Sequence, residues 1–374
     1  MEFVATCAFG IEAVLKRELE ALNIPVTESS NGKIYFRGDM QTMMHANLSL
    51  RTAERVFMVL GKAKVTSYDQ LFDFVKKLEL KSLLSEKGRY IINAKTHKST
   101  LFSPKDIQSI TKKALIENLK VAYKTYDFLE TDEPYMMLID ILDDQALALL
   151  DTSGHGLHKR GYRLDHGEAP LKETLAAALV LLSFYDETRP LYDPFCGSGT
   201  IVIEAAMIAK NIAPGLNRGF AFEKHKYHDQ TMFKTIKRNY LKAIRQDDVA
   251  PIYGRDIDLD VLKKAEENAY RAGVDDVIEF GLADVRIQSF DEPYGIIITN
   301  PPYGERLEDQ ASLEPLYSTI GEKFMALDTY SIYMLTAFNG VEGVFKKKAD
   351  KTRVLFNGNI KARFYQYYGP RPPR

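Results

Sequence analysis

Apolar positions along this chain recur at two spacings, and the two spacings alternate. Phe3-Val4-Ala5-Thr6 is a short apolar run of strand type, and it leads into Ile11, Val14, Leu15 and Leu19, which share one face of a helix. Lys33-Ile34-Tyr35-Phe36-Arg37 reads as a strand after the Asn31-Gly32 turn. Met43, Met44, Ala46 and Leu48 mark a further helix whose Met pair reads as core filler, and 55–60 a further strand. From Ser67 the pattern restarts with a helix over 71–80 and a strand over 90–95. Ser103 is placed to cap a helix over 104–119 with Pro104 at its first position. Strands over 135–141 and 145–151 meet at Asp143-Asp144. Two small α+β units are expected, 1–62 and 63–154, then a linker over 155–168 and a larger unit over 169–374.

The larger unit keeps strands and helices in strict alternation. An apolar helix over 174–182 precedes Leu191-Tyr192, a strand that runs into Asp193-Pro194-Phe195-Cys196-Gly197-Ser198-Gly199-Thr200 and then the helix-type run Ile201-Val202-Ile203-Glu204-Ala205-Ala206. Glycines between a strand and a helix let the backbone turn tightly and approach a ligand, and Ser198 or Thr200 can cap the helix. Further strands end at Arg255-Asp256-Ile257-Asp258, at Gly281-Leu282-Ala283-Asp284, and at Asn300-Pro301-Pro302-Tyr303-Gly304. In an open α/β sheet, ligands sit outside the carboxyl ends of the strands, so these ends belong to one site. Helix 313–325, strand 330–336 and a hairpin over 352–356 and 361–368 close the chain.

Composition narrows the picture in three ways. With 50 Lys+Arg against 51 Asp+Glu there is no overall basic field, so binding to nucleic acid needs a local basic face. Cys7 and Cys196 are the only cysteines, too few for a disulfide framework or a cysteine zinc site, and the His residues are not spaced as ligands; no metal is expected. No apolar run approaches the ~20 residues of a membrane span, and the first ten residues do not read as a secretory signal, so a cytoplasmic location is expected.

The glycine-rich turn at 193–200 resembles motif I of class I S-adenosylmethionine (AdoMet) methyltransferases. Asn300-Pro301-Pro302-Tyr303 resembles motif IV of enzymes that methylate exocyclic amino groups of nucleic-acid bases. The layout before it, closing on Leu-Asp-Thr-Ser-Gly-x-Gly-Leu-His-Lys-Arg-Gly-Tyr-Arg, resembles a ferredoxin-like domain followed by a THUMP domain, a module of RNA-modifying enzymes. Over nearly its full length the chain resembles the bacterial THUMP proteins that methylate guanine N2 in 23S rRNA. The resemblance implies an α/β fold with a Rossmann-like, seven-stranded, mostly parallel sheet, one strand antiparallel, behind ferredoxin-like and THUMP domains.

It also implies roles. Asp193 stands near the AdoMet ammonium, with Pro194, Cys196, Gly197, Ser198, Gly199 and Thr200 forming the turn beneath the cofactor. Cys196 itself reads as a small buried side chain and not as a nucleophile. Asp256 matches the carboxylate on the ribose hydroxyls, Ile257 the adenine contact, and Asp284 the acceptor of the adenine amino group; Asp258 reads as the cap of the next helix. Asn300 and the Pro301 carbonyl would accept the two amino protons of the target base, and Tyr303 would stack on it, worth roughly 1–3 kcal/mol. RNA contacts are expected from His158, Lys159, Arg160 and Arg163 in the linker, although a solvated hinge explains the same composition. They are also expected from Arg218, which lies with Phe220, Lys224, Lys226 and Tyr227 in a long segment over 212–250. That segment resembles an insertion of the same family, with His225 where the family pattern carries tryptophan. Lys346-Lys347-Lys348, Lys351 and Arg353 read equally as a phosphate contact or a solvated loop. Three readings remain open besides the rRNA enzyme: a tRNA guanine-N2 methyltransferase, an N6-adenine DNA methyltransferase, and a non-catalytic RNA-binding protein.

Overall fold

The computed structural model describes residues 1–163, 171–302 and 307–373, with backbone alone for 307–311. The amino-terminal half runs β1 (Glu2–Thr6), α1 (Glu12–Ala21), β2 (Val26–Ser30), β3 (Lys33–Arg37), α2 (Met40–Ser49), β4 (Arg55–Lys64), α3 (Tyr68–Lys76), β5 (Arg89–His97), α4 (Pro104–Tyr123), β6 (Pro134–Leu142) and β7 (Gln145–Asp151). The other half runs α5 (Glu173–Leu182), β8 (Leu191–Asp193), α6 (Thr200–Ala209), α7 (Gln230–Lys242), β9 (Ile252–Asp256), α8 (Leu259–Ala272), β10 (Ile278–Leu282), β11 (Ile296–Thr299), α9 (Leu307–Met325), β12 (Ser331–Thr336), α10 (Val341–Val344), β13 (Lys351–Asn357) and β14 (Ile360–Tyr367). Ser103 caps α4, with Pro104 in its first turn, as the sequence indicates.

The first half is one seven-stranded sheet in the order β2-β3-β1-β4-β7-β6-β5. The expected boundary at residue 62 therefore falls inside a strand. β4 pairs with β1 through Phe57↔Val4 and with β7 from Phe57↔Asp151 to Lys64↔Gln145, a register shift between Val59 and Gly61 giving it the reach to serve both blocks. At Gly61 a Cβ would lie 2.7 Å from Leu78 Cδ2, so any larger residue there would need that side chain to move. One apolar layer on one face of the sheet joins Leu15 and Leu19 of α1, Met43 and Met44 of α2, Leu71 of α3 and Leu115 of α4.

The second sheet has the order β10-β9-β8-β11-β12-β14-β13, with β14 antiparallel to both neighbours and the other pairs parallel. All four residues of β11 and all three of β8 are buried, as expected for central strands covered on both faces.

The segment over 212–250 corrects one expectation. Its aromatic side chains pack inward: Phe220, Phe222, Phe233 and Ile236 are buried in the same apolar layer as α1 to α4, with Phe220 and Phe222 stacked at 5.3 Å. Its backbone continues the amino-terminal half through Gly215 N–H to the Leu48 carbonyl (2.9 Å) and Phe222 N–H to the Thr152 carbonyl (3.1 Å). His225 lies flat on Tyr135 at 4.3 Å, and burial pushes its imidazole down to about 4, so it is a neutral stacking ring. The two halves are also joined by buried charge: Arg160 pairs with Glu204 of α6 (3.3 Å) and bonds the Arg51 and Leu157 carbonyls, while Arg51 bonds the Ile212 carbonyl (2.8 Å). Among the described residues no helix is long and apolar enough to cross a membrane.

Candidate active site

β8 ends at Asp193, and the chain then turns through two left-handed glycines, Gly197 at φ +53° and Gly199 at φ +83°. A Cβ on Gly199 would lie 3.1 Å from Ala265 Cβ and 3.3 Å from Phe280 Cζ, so a side chain has no room there. A Cβ on Gly197 would meet nothing within 4 Å, because that side of the turn is open. Neither Ser198 nor Thr200 caps the helix: Gly199 is the N-cap of α6, with no side-chain bond. The Ser198 carbonyl accepts from Asn268 Nδ2 (3.1 Å), and the Thr200 hydroxyl is taken by Arg163. Pro194 and Cys196 are buried, and burial, then Asp193 and Asp256, push the Cys196 thiol well up, which suits a packing role.

Two carboxylates hold this turn. Asp193 is buried, and its Oδ1 accepts from Thr299 Oγ1 (2.7 Å) and Phe195 N–H (3.1 Å). Burial pushes its carboxyl up to about 7 against these two bonds, with the Asp256 charge adding to the rise. Asp256 accepts from Gly197 N–H (2.9 Å) and Asp258 N–H (3.0 Å), and Asp258 caps α8. Ile257, beside them, is 67 % exposed, an uncovered apolar side chain next to the turn. Asp284 is engaged in a way the sequence does not reveal: Arg286 Nε reaches both its oxygens (2.9 and 2.8 Å), and these bonds hold its carboxyl below the usual range.

The end of β11 is built differently. Asn300 Oδ1 is buried and has no hydrogen-bond partner among the described residues. Such an atom costs about 1–3 kcal/mol unless something donates to it. Pro301 is buried and Pro302 exposed; Tyr303 lies outside the described residues. The Pro302 carbonyl accepts from Tyr317 Oη (3.0 Å), which is 2.6 Å from Thr336 Oγ1, and Thr336 accepts from Phe338 N–H (3.0 Å). The Tyr317 ring stacks on Phe338 at 4.1 Å. Thr299, Tyr317, Thr336 and Phe338 are thus supports that sequence reasoning passed over. In the sequence they look like strand-end and core residues, and only the fold brings them to one turn.

The linker cations are placed otherwise than expected. Arg160 is buried against Glu204, and Arg163 is taken by Glu173 (3.3 Å) and Thr200. Arg218 bonds the carbonyls of His155 (2.6 Å), Gly156 (2.6 Å) and Lys159 (3.0 Å), and burial brings its guanidinium down to about 10. Each of these three bonds to groups of the chain itself and closes the linker onto the body, because a guanidinium removed from water needs the partners the chain can give it. His158 is half-buried beside Glu54 (3.4 Å), and Lys159 is exposed. Against its own burial, which would raise it, Glu54 is held down to about 2 by His158, Lys172 and Thr174. The linker residues beyond 163 lie outside the described residues.

Among the described residues no group of three or more His, Cys, Asp or Glu side chains is gathered as metal ligands. An uncovered Gly197, a buried carboxyl at Asp193 and an orphaned amide oxygen at Asn300 fit a cationic cofactor over the turn and an N–H donor beside it. The RlmL ferredoxin-like domain matches residues 2–57, the THUMP domain 65–147 and the RMKL-like methyltransferase domain, UPF0020, 160–366. The Bacillus subtilis protein named "Putative RNA methyltransferase YpsC" is 43% identical over 374 residues, 99% of this chain and 97% of its own. A solved "possible methylase" from Clostridium difficile 630 is 40% identical with a TM-score of 0.96, covering 100% of this chain and 99% of its own. "SMU.472, a putative methyltransferase complexed with SAH" is 37% identical with a TM-score of 0.94 and covers the same shares. The chain belongs to the RMKL-like methyltransferase family, as an AdoMet-dependent enzyme with ferredoxin-like and THUMP domains ahead of its catalytic sheet.

Proposed function

We propose that this enzyme methylates N2 of a guanine in 23S rRNA. Methyl transfer from AdoMet to an exocyclic amino group of a nucleic-acid base is the chemistry of the family and the site together; the base and the RNA are the further step. The observation that carries the amino-group reading is the buried, unpartnered Asn300 Oδ1 at the end of β11. Support for RNA comes from the THUMP match and from the Bacillus subtilis relative named "Putative RNA methyltransferase YpsC", and support for the ribosomal target from the RlmL ferredoxin-like match.

When bound, AdoMet supplies an electrophilic methyl on a sulfonium. The lone pair of an exocyclic amine is delocalised into its ring and is a poor nucleophile. Asn300 Oδ1 and the Pro301 carbonyl, each accepting one amino N–H, draw the nitrogen toward a tetrahedral shape and direct its lone pair. Proline suits this turn because it fixes the backbone and carries no competing N–H. Asp193, ionised, would face the ammonium, and Asp256 would hold the ribose while keeping Gly197 in place. Catalysis is then mainly positioning, and a base in a helix must be flipped out to reach the site.

Nucleoside mass spectrometry on rRNA and tRNA from a strain lacking the gene, beside its parent, tests this reading. Loss of one N2-methylguanosine from 23S rRNA is the expected result. Loss from tRNA keeps the mechanism and moves the target. Unchanged RNA with less N6-methyladenine in DNA overturns the proposal in favour of the DNA enzyme.

A further inference from the structure

Charge is unevenly spread along the chain. Residues 341–374 carry nine Lys and Arg against two Asp and Glu, in a protein whose formal net charge is −1. Much of this excess lies on the β13–β14 hairpin, and the strand register places part of it beside the reacting end of the sheet. β12 runs parallel to β11, with Thr299 opposite Met334, so Thr336 stands two residues further out, at the level of the Asn300 turn. Arg363 of β14 is directly opposite Thr336. Directly opposed residues have Cβ atoms about 4.5–5.5 Å apart. Arg363 is therefore a neighbour of the hydroxyl that meets Tyr317, which in turn holds the Pro302 carbonyl.

Alternation along β14 sets the face. Ala362 and Phe364 are buried in the layer with α5 and α6, whereas Tyr365 and Tyr367 are buried with Tyr317 and Phe338. Lys361 and Arg363 point to this second side and are exposed. Across the hairpin, Lys361 opposes Phe356 and Arg363 opposes Val354, and these two apolar side chains are 37% and 38% exposed. At the far edge of the sheet Arg255 is paired with Glu279 and Arg286 with Asp284. Lys361 and Arg363 have no carboxylate partner among the described residues. Two unpaired cations on β14, with only β12 between them and β11, flank the exposed Phe356 ring of the edge strand β13 and form a surface for an anionic strand with stackable bases.

Resting on the RNA reading above, we infer that the hairpin edge Phe356, Lys361 and Arg363 holds the RNA strand that flanks the target nucleotide. The cations sit on phosphates, and the Phe356 ring stacks on a base or sugar. This is where the enzyme grips the backbone while the flipped base enters the Asn300 turn, a role the buried linker arginines do not fill.

The test uses the full chain and a fluorescein-labelled single-stranded RNA of mixed sequence, about twelve nucleotides long, with anisotropy followed between about 50 and 200 mM salt. The Lys361→Gln, Arg363→Gln double variant is expected to bind at least tenfold more weakly at low salt. Its log–log salt slope should be shallower by about 1.4, from roughly 0.7 per lost phosphate contact on a single strand. Phe356→Ala should weaken binding roughly fivefold or more with the slope retained, since stacking releases no counterions. AdoMet affinity unchanged in both variants shows that the fold is intact. If the unaltered enzyme binds and methylates RNA while the double variant matches it in affinity and slope, this inference falls and the proposed function stands. If the unaltered enzyme binds no RNA, this inference falls, and the nucleoside comparison decides the proposed function.

Discussion

The turn after β8 and the turn after β11 lie side by side at the carboxyl ends of neighbouring strands, yet they are built on opposite principles. At the first, both carboxylates already accept hydrogen bonds from the chain: Asp193 from Thr299 and Phe195, Asp256 from Gly197 and Asp258. Its shape exists before any ligand arrives, and Gly197 leaves the space above it open. At the second, the side-chain oxygen of Asn300 is buried with no hydrogen-bond partner among the described residues, while the structure behind it is braced by Tyr317, Thr336 and Phe338. A cofactor shared by a large enzyme class can be met by a finished cradle. On the proposed reading the acceptor is recognised at the moment of reaction, so the cost of an unpaired oxygen would be carried until an amino group donates to it.

The largest effect should come from breaking the second turn alone. Asn300→Ala should lower kcat by about a hundredfold to a thousandfold, the scale of losing one oriented hydrogen-bonding group. AdoMet affinity, read by calorimetry, should hardly change, because the first turn does not depend on Asn300. A variant that loses cofactor binding along with activity would show that the two turns are one unit.

The next effect belongs to the first turn and to pH. With a carboxyl raised to about 7 against an ordinary value near 3.9, Asp193 is protonated in the ligand-free fold below neutrality. Its contribution to ligand-free stability is fully present below about pH 4 and is lost as pH rises through 7. The ammonium of AdoMet needs the ionised form, so affinity runs the other way: Kd should rise roughly tenfold per unit as pH falls below 7. Asp193→Asn should flatten this profile and weaken binding at pH 8. A Kd that is constant between pH 8 and pH 5.5 would contradict the assignment of Asp193 to the ammonium.

The contrast between the turns also explains what could be read from the sequence. Strand–turn–helix order, the two glycines and Asn-Pro-Pro were legible because each is a local requirement, of backbone angle or of a missing donor. The Ser103 and Asp258 caps were legible for the same reason. β2 was not: in Val-Thr-Glu-Ser-Ser four residues are exposed and one half-buried, so an edge strand leaves no apolar alternation to detect. Nor were the partners of the arginines. Arg160, Arg163 and Arg218 have the composition of a phosphate site, but Glu204, Glu173 and the linker carbonyls are brought to them by tertiary folding. Lys361 and Arg363 are the same residue types left unpaired, and nothing local in the sequence separates the two sets. Tyr317 reads as helix core, which it also is.

Tyr317→Phe sharpens the comparison by loosening the brace without touching the orphaned oxygen. The ring keeps its stack on Phe338, while the Pro302 carbonyl and the Thr336 hydroxyl lose a shared partner. A displaced turn should cost roughly tenfold to a hundredfold in kcat, with KM for RNA and Kd for AdoMet within about threefold. Equal losses in kcat and in both affinities would mean that Tyr317 supports the sheet as a whole.

The smallest effect is expected at Arg286. Its pair with Asp284 is exposed and local, and such pairs contribute little. Arg286 also occupies the carboxylate that resembles the adenine acceptor, so its removal gives up a weak interaction and frees Asp284 for the ligand. Arg286→Gln should therefore change AdoMet affinity by less than about fivefold, toward tighter binding, and should leave kcat alone. A large loss of affinity would place Arg286 on the ligand, making the first turn incomplete without it and giving it the same dependence on an arriving partner that Asn300 shows.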